Sequence, residues 1–264
     1  MTNAGAKMNS LEKMIAILDL FDGSAMEWLP EAMAERLDLP RSTLYRYLKV
    51  LTDAGLLTSL PGVGYTLGPR VAELDFRMRL TDPLIAASRP VMAELVQDVP
   101  GISLLCRRYR DRVLCVHQEQ SIATFRSNYE RGRARPLVRG AASRIILAYM
   151  PTQVVRRLHE ASPETFSEAG LGHDLSGLRG RLKEIRQRGF DVTQGDLTSG
   201  VTGIAAPIFD SRENVLGSLS VTLGETQIAP DRLAFVADRV RLCARIVSKT
   251  VARERTPEPA VQLS

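Results

Sequence analysis

The chain has only three cysteines and three histidines in 264 residues. Cys106, Cys115 and Cys243 are odd in number and widely spaced, sit in apolar surroundings and form no C-x-x-C pair, so buried reduced thiols are expected rather than disulfides or a metal site. His117, His159 and His173 lack ligand spacing as well, and neither a metal nor any other cofactor is expected. No nucleophile elbow, phosphate-binding loop or paired-carboxylate constellation can be assembled, so no catalytic residue is named and no enzyme is expected. Asp174, Glu184 and Asp196 fit helix-cap or surface positions instead. Long apolar runs are missing too. None approaches the ~20 residues that span a bilayer, and the start MTNAGAKMNS lacks the apolar core of a signal peptide. A cytosolic protein with no membrane partner is expected. Disorder, collagen and coiled coil are disfavoured by an ordinary composition with 44% hydrophobic residues, enough for one large or two modest domains. The formal charge of +5 suits a polyanion partner but is a weak argument alone.

What is present is concentrated between Trp28 and Leu67. From Pro40 onward, Leu44, Tyr47, Leu48 and Leu51 recur at i, i+3, i+4 and i+7, one face of a helix. Arg41, Ser42, Tyr45, Arg46 and Lys49 project together on the opposite face. Pro40 suits a first-turn position, where its missing N–H has no helical partner. The preceding segment, Pro30 to Leu37, carries Leu29, Ala32, Met33 and Leu37 on its own stripe, with only a short turn around Asp38-Leu39-Pro40 between the two helices. Asp53-Ala54-Gly55 then stops the second helix. Leu56-Leu57-Thr58 and Gly64-Tyr65-Thr66-Leu67 read as strands joined by a loop containing Pro61-Gly62. Two helices, a tight turn and a hairpin make a winged helix-turn-helix. Its second helix fits the major groove, which Arg41, Ser42, Thr43, Tyr45, Arg46 and Lys49 are expected to approach. Arg reaches guanine O6 and N7, Ser or Thr serve bases or phosphate, and Gly64 and Tyr65 are expected near a wing that touches the backbone. The alternative is that Arg41, Arg46 and Lys49 form a solvated helix face; the combination with the short turn and the hairpin favours DNA.

Upstream, Ser10 is the expected N-cap of a bracing helix with Leu11, Met14, Ile15, Leu18 and Phe21 as its buried stripe. The segments SLEKMIAILDLF, EAMAERLDLPRSTLYRYLKVLTDAGLL and GYTLGPRVAEL closely resemble the amino-terminal region of the IclR family of bacterial transcriptional regulators. Later segments match as well, so the resemblance runs from Ser10 to about Ala252. It implies a DNA operator as partner, and self-association as a homodimer or dimer of dimers, with part of the dimer contact supplied by the first helix.

The expected organisation is a tail over 1–9, a DNA-binding domain over 10–69, a linker helix over 70–82, a second domain over 83–254 and a tail over 255–264. In the second domain a helix from Pro83 carries Pro90, expected to bend it, and the β-rich runs Ile102 to Arg107 and Arg112 to His117 form a hairpin. Thr124 to Arg144 sets Arg126, Arg131, Arg133, Arg135, Arg139 and Arg144 against Glu130, then leads into a helix that begins with Ala141 and Ala142. Small residues at a helix N-terminus let an anion approach the free N–H groups; close packing of helices explains them equally well. Pro151 to Glu160 reads as a short helix, Ser162 to Ser176 as a polar connection and Leu178 to Arg188 as another helix. Strands follow over Asp191 to Gln194, Gly203 to Phe209 and Val215 to Leu223, and a long helix starts at Pro230. The fold class expected is α+β, a helix-turn-helix domain followed by an antiparallel sheet flanked by helices.

The stretches GRARPLVRGAASRIILAYMP, LKEIRQRGFDVTQGDLTSGVTGIAAPIFD and VLGSLSVTLG resemble the family's effector-binding domain, which is similar to a GAF fold. Carried over residue by residue, its pocket falls on Ala141, Ala142, Thr193, Gly203, Ser220 and Thr222. Ser220 and Thr222, two apart on a strand, share one face. Thr193 and Gly203 replace an acidic residue and a cysteine of the glyoxylate-responsive member, which argues against that effector. Arg135 stands where an apolar lining residue is common; it either clamps a carboxylate through two parallel hydrogen bonds or sits in solvent. The implied ligand is a small organic acid, aromatic acids included. Against this stands a small-molecule-binding module whose helix-turn-helix serves dimerisation only.

Overall fold

A computed structural model describes residues 8–23, 25–121, 131–224 and 228–254. The expected tails, apart from Met8 and Asn9, and Arg126 and Glu130 of the arginine-rich stretch lie outside these. The chain divides into two compact units, residues 1–81 and 82–264.

In the first unit, α1 (Ser10–Leu18) is capped by Asn9, one residue before the expected Ser10. The Asn9 side-chain oxygen accepts the Leu11 and Glu12 N–H groups at 2.9 and 3.0 Å, and Glu12 returns to the Asn9 N–H at 2.8 Å. This reciprocal box satisfies three orphan donors, more than a lone serine hydroxyl can. The buried stripe is rotated accordingly: Ile17 and Leu20 are buried, whereas Leu11 and Ile15 are 70% and 46% exposed. Helix α2 (Pro30–Leu37) buries Met33 and leaves Leu29 and Ala32 exposed. A left-handed Asp38 (φ 49°) turns the chain into α3 (Arg41–Asp53), which buries Leu44, Tyr47, Leu48 and Leu51 as its spacing requires. Each such side chain contributes about 1.5–3 kcal/mol by leaving water. Strands β1 (Leu57–Leu60) and β2 (Gly64–Leu67) pair antiparallel, Leu57 opposite Leu67 and Leu60 opposite Gly64. Helix α4 (Pro69–Thr81) buries nothing: Leu74, Phe76, Met78 and Leu80 are all exposed.

The second unit opens with α5 (Pro83–Asp98), capped by Asp82 and continuous through Pro90. Strands β3 (Ile102–Tyr109) and β4 (Arg112–Gln120) are longer than expected, turning through a left-handed Arg110. A short strand, β5 (Ala134–Pro136), pairs with β4 inside the arginine-rich stretch. Then come α6 (Ala141–Ala148), α7 (Thr152–Ala161), α8 (Pro163–Glu168) and α9 (Leu175–Arg188). Helix α8 replaces part of the expected polar connection, because Pro163 opens its first turn and Phe166 is buried. Helix α9 starts at Leu175, where Asp174 caps it by accepting the Gly177 N–H at 2.7 Å. Strands β6 (Asp191–Gln194), β7 (Thr202–Phe209) and β8 (Val215–Leu223) and the long α10 (Pro230–Glu254) complete the unit.

The antiparallel sheet has the order β5-β4-β3-β8-β7-β6. One core joins α5 and α10 to the sheet through residues such as Ile85, Leu105, Leu219 and Val240; the other joins α6 and α9 through Leu104, Ala205, Ile145 and Leu182. The molecule is thus α+β, with a helix-turn-helix and a curled antiparallel sheet flanked by helices. Among the described residues no helix is long and apolar enough to cross a membrane, and no group of three or more His, Cys, Asp or Glu residues is placed to hold a metal. All three cysteines are buried and none forms a disulfide.

Candidate functional site

Two regions gather the residues singled out in the sequence. The first is the outer face of α3. Arg41, Ser42, Tyr45, Arg46 and Lys49 are exposed there and Thr43 is half-exposed, opposite the buried stripe. Pro40 stands just before the first helical residue rather than inside the first turn; its extended backbone (ψ 138°) delays the helix, and its carbonyl accepts the Thr43 and Leu44 N–H groups at 3.0 Å. No side chain caps α3, which leaves its first N–H groups open to phosphate. The Arg46 guanidinium lies 5.4 Å from the centre of the Tyr47 ring. A hydrogen bond from Ser10, then the Arg46 charge, hold the Tyr47 phenol below its ordinary pKa, tying α1 to α3.

The wing places its residues differently. Tyr65 and Trp28 exchange backbone hydrogen bonds at 2.9 and 3.0 Å, and the Trp28 indole N–H donates to the Leu20 carbonyl at 3.1 Å. Gly64 has φ +116°, and a Cβ there would lie 2.4 Å from the Trp28 carbonyl oxygen; only glycine fits. Gly64 and Tyr65 are therefore half-buried at the base of the wing, while Leu60, Pro61, Gly62 and Val63 stand exposed at its tip. The signal for the tip was the Pro61-Gly62 pair itself, which makes the turn.

The second region is a cavity of about 410 Å³, mouth included, between α6 and the sheet. All six residues carried over by resemblance line it: Ala141, Ala142, Thr193, Gly203, Ser220 and Thr222. Strand register explains the grouping, since Thr193 lies opposite Gly203 and Gly203 opposite Thr222, with Ser220 two positions along on the same face. Arg135 is not in the lining; it is half-buried on β5, opposite Val113.

Four lining residues missed by sequence reasoning, Asp196, Leu197, Thr198 and Val201, come from the loop joining β6 to β7. Two left-handed glycines, Gly195 and Gly200, bracket that loop, and the Gly195 N–H closes its base on the Val201 carbonyl at 2.8 Å. The paired glycines in TQGDLTSGV were the available signal. Leu104 of β3 supplies an apolar wall.

The N-terminus of α6 is only partly open. Asp196 accepts the Gly140 N–H at 2.7 Å and Thr193 Oγ1 accepts the Ala141 N–H at 3.1 Å, which leaves the Ala142 N–H over. Asp196 is therefore a cap inside the cavity wall, 3.5 Å from the Arg139 guanidinium. The Ser220 hydroxyl is 2% exposed and has no hydrogen-bond partner among the described residues. Such a group is costly to bury dry, and a ligand atom would relieve that cost. Ser218 Oγ donates to the Ala142 carbonyl at 2.8 Å, fixing α6 to β8. Behind the cavity, Arg144 of α6 lies 2.9 Å from the fully buried Asp191 of β6, with Arg188 at 3.5 Å. Burial pushes the Asp191 carboxyl above its ordinary pKa despite both arginines.

Comparison with known proteins covers both regions. Residues 10–61 match the model of the IclR helix-turn-helix domain, and residues 80–249 that of the bacterial transcriptional regulator IclR C-terminal domain. The HTH-type transcriptional regulator KipR of Bacillus subtilis (strain 168) is 25% identical over 247 residues, 93% of this chain and 98% of that one. A crystal structure of an IclR transcriptional regulator from Alicyclobacillus acidocaldarius superimposes with a TM-score of 0.78 at 21% identity, covering 93% of this chain and all of the other. An IclR homologue from Microbacterium hydrocarbonoxydans, complexed with 4-hydroxybenzoate, does so with a TM-score of 0.69 at 21% identity, covering 93% of this chain and 100% of that one.

Proposed function

The chain belongs to the IclR family of bacterial transcriptional regulators, and from that premise we propose that it binds a near-palindromic operator as a dimer or dimer of dimers, under control of a small organic acid. The observation that carries the DNA half is the exposed face of α3, where Arg41, Ser42, Thr43, Tyr45, Arg46 and Lys49 face away from a fully buried stripe. Arg and Ser near the start of a recognition helix meet base edges, and the wing beside it meets backbone. Gly64 and Tyr65 serve this contact by holding the wing on Trp28. Half-sites separated by whole helical turns follow if two subunits bind one face of the duplex. Self-association is supported by the apolar side chains that α1 and α4 leave exposed, Leu11 and Ile15 on one and Leu74, Phe76 and Leu80 on the other.

The effector occupies the cavity under α6, among Ala141, Ala142, Thr193, Gly203, Ser220 and Thr222. The 4-hydroxybenzoate held by the Microbacterium protein makes an aromatic acid the first candidate. Arg135 lies outside the lining and is assigned no contact with the ligand. Binding shifts the balance between arrangements of paired DNA-binding units by its difference in affinity for them, and the genes controlled are a catabolic operon. The reaction is not enzymatic, and the setting is the cytoplasm.

Fluorescence anisotropy tests this reading, using the purified protein with duplexes from upstream of its own and neighbouring genes. Salt is varied and scrambled duplex is the competitor. Tight, competitor-resistant binding that an acid from a panel strengthens or weakens is the expected result. Binding no better than to scrambled DNA, with every acid tried, would overturn it.

A further inference from the structure

We propose that Asp196 is the residue by which the cavity chooses its ligand, and that it selects a small monoanionic acid bearing a hydroxyl or amino group. This selection operates in the cavity assigned to the effector and so rests on that reading.

The cavity lining offers several donors and one strong acceptor. The Ala142 N–H is left over at the start of α6, and the Ser220 hydroxyl is buried with no partner among the described residues. Thr222, 7% exposed, lies two positions along β8 on the same face. An N–H and two rotatable hydroxyls can all donate to the oxygens of one carboxylate. The acceptor is the Asp196 carboxylate, whose side chain is only 16% exposed. One of its oxygens accepts the Gly140 N–H at 2.7 Å, and the other has the Arg139 guanidinium at 3.5 Å. Each carboxylate oxygen carries two lone pairs, so Asp196 has room for a further donor and none to give. Leu104, Leu197 and Val201 supply the apolar surface.

Among the described residues the lining contains no Lys or Arg, and its one charged side chain is Asp196. A second ligand carboxylate at Asp196 meets a like charge and leaves both poorly paired. A hydroxyl or amino hydrogen meets an acceptor that is already held in place. The anionic end therefore goes to Ala142, Ser220 and Thr222, and the donor end to Asp196. Dicarboxylates and unsubstituted acids are disfavoured for different reasons, repulsion in one case and an unused acceptor in the other.

Isothermal titration of the full-length protein at neutral pH tests this with defined probes: benzoate and its three monohydroxy isomers, propanoate and lactate, and the dianions phthalate and malate. At least one hydroxy acid is expected to bind roughly tenfold or more tightly than its parent, since a site built to bond a hydroxyl discriminates strongly against its loss. Asp196→Ala should close that gap, the hydroxy acid losing its advantage over its parent. Asp196→Asn keeps the side chain's shape, and an oxygen for Gly140, so it serves if the alanine variant folds poorly. It should close the gap too and raise the affinity for the dianions. Ser220→Ala should weaken the parent and hydroxy acids alike. If acids bind but the gap is absent in the wild type, or survives in both Asp196 variants, Asp196 does not select the ligand. If no acid binds while the neutral analogues benzamide or benzyl alcohol do, the acid reading of the cavity itself fails and this selection falls with it.

Discussion

Arg46 and Lys49 leave α3 on the same exposed side, yet their removal should have different consequences. Arg46 is within the first two turns, where a recognition helix meets base edges, and its planar fork can pair with guanine O6 and N7 together. Its guanidinium lies 5.4 Å from the centre of the Tyr47 ring. Lys49 lies nearly a turn further along, and an ammonium is a point charge suited to phosphate. Arg46→Ala is expected to cost about 1–3 kcal/mol on the operator and much less on scrambled duplex. Lys49→Ala should weaken both alike and reduce the slope of log affinity against log salt by about 1. Salt titrations of anisotropy on both duplexes check this. Equal loss on both duplexes for Arg46→Ala would move that side chain from base to backbone.

At the scale of elements, helix α6 shows how a buried charge serves placement rather than gross stability. Its Arg144 reaches back to Asp191 on β6 at 2.9 Å, both almost wholly buried, directly behind the helix end that lines the cavity. Breaking a buried pair from one side costs about 3–5 kcal/mol because the remaining charge is stranded. Arg188 still reaches the other Asp191 oxygen at 3.5 Å, so Arg144→Met should fall at the lower end of that range at neutral pH. The Asp191 carboxyl is already raised by burial. A carboxyl whose folded pKa lies above the unfolded value favours the fold most at low pH, and that stability is lost as pH rises through the folded pKa. Losing a counter-ion raises it further, so the cost of Arg144→Met should shrink as pH falls from neutral towards the ordinary carboxyl range. Urea unfolding of both proteins across that interval measures it, and a constant difference would mean that Asp191 has the same charge state in both folded proteins throughout. The pair also illustrates what a sequence conceals. The α3 stripe and the strands around Ser220 and Thr222 were legible because period alone fixes which side chains share a face. Arg144 and Asp191 lie on different elements 47 residues apart, and nothing local pairs them. The same holds for Asp196, whose role as a cap depends on Gly140 being brought to it across the sheet. In α1, periodicity placed a helix correctly but rotated its face, because Leu11 and Ile15 are apolar without being buried within this chain. Strand β5 was hidden for the opposite reason, since a three-residue edge strand centred on Arg135 carries no alternating apolar signal.

For the whole molecule, the division at residue 81 has a consequence that one side chain makes measurable. Each unit has cores of its own, one built on Ile17, Met33, Leu44 and Leu48 and two more on either face of the larger sheet. The chain has a single tryptophan, Trp28, and it belongs to the first unit. Its indole N–H is bonded to the Leu20 carbonyl and its backbone to Tyr65, so its fluorescence reports the helix-turn-helix and wing alone. Circular dichroism reports every helix and is dominated by the second unit. Thermal unfolding followed by both signals should therefore give two midpoints. A ligand present at about 100 times its dissociation constant stabilises the form it binds by about 2.7 kcal/mol. For a unit the size of the second, that corresponds to an upward shift of roughly 5–10 °C. An acid effector should produce it in the dichroism transition and leave the tryptophan midpoint in place, and operator DNA should do the reverse with a larger shift, because the first unit is smaller. If the acid moves the tryptophan midpoint as far as the dichroism midpoint in the absence of DNA, the two units unfold as one cooperative block, and the coupling between sites is built into the free protein rather than assembled on the operator.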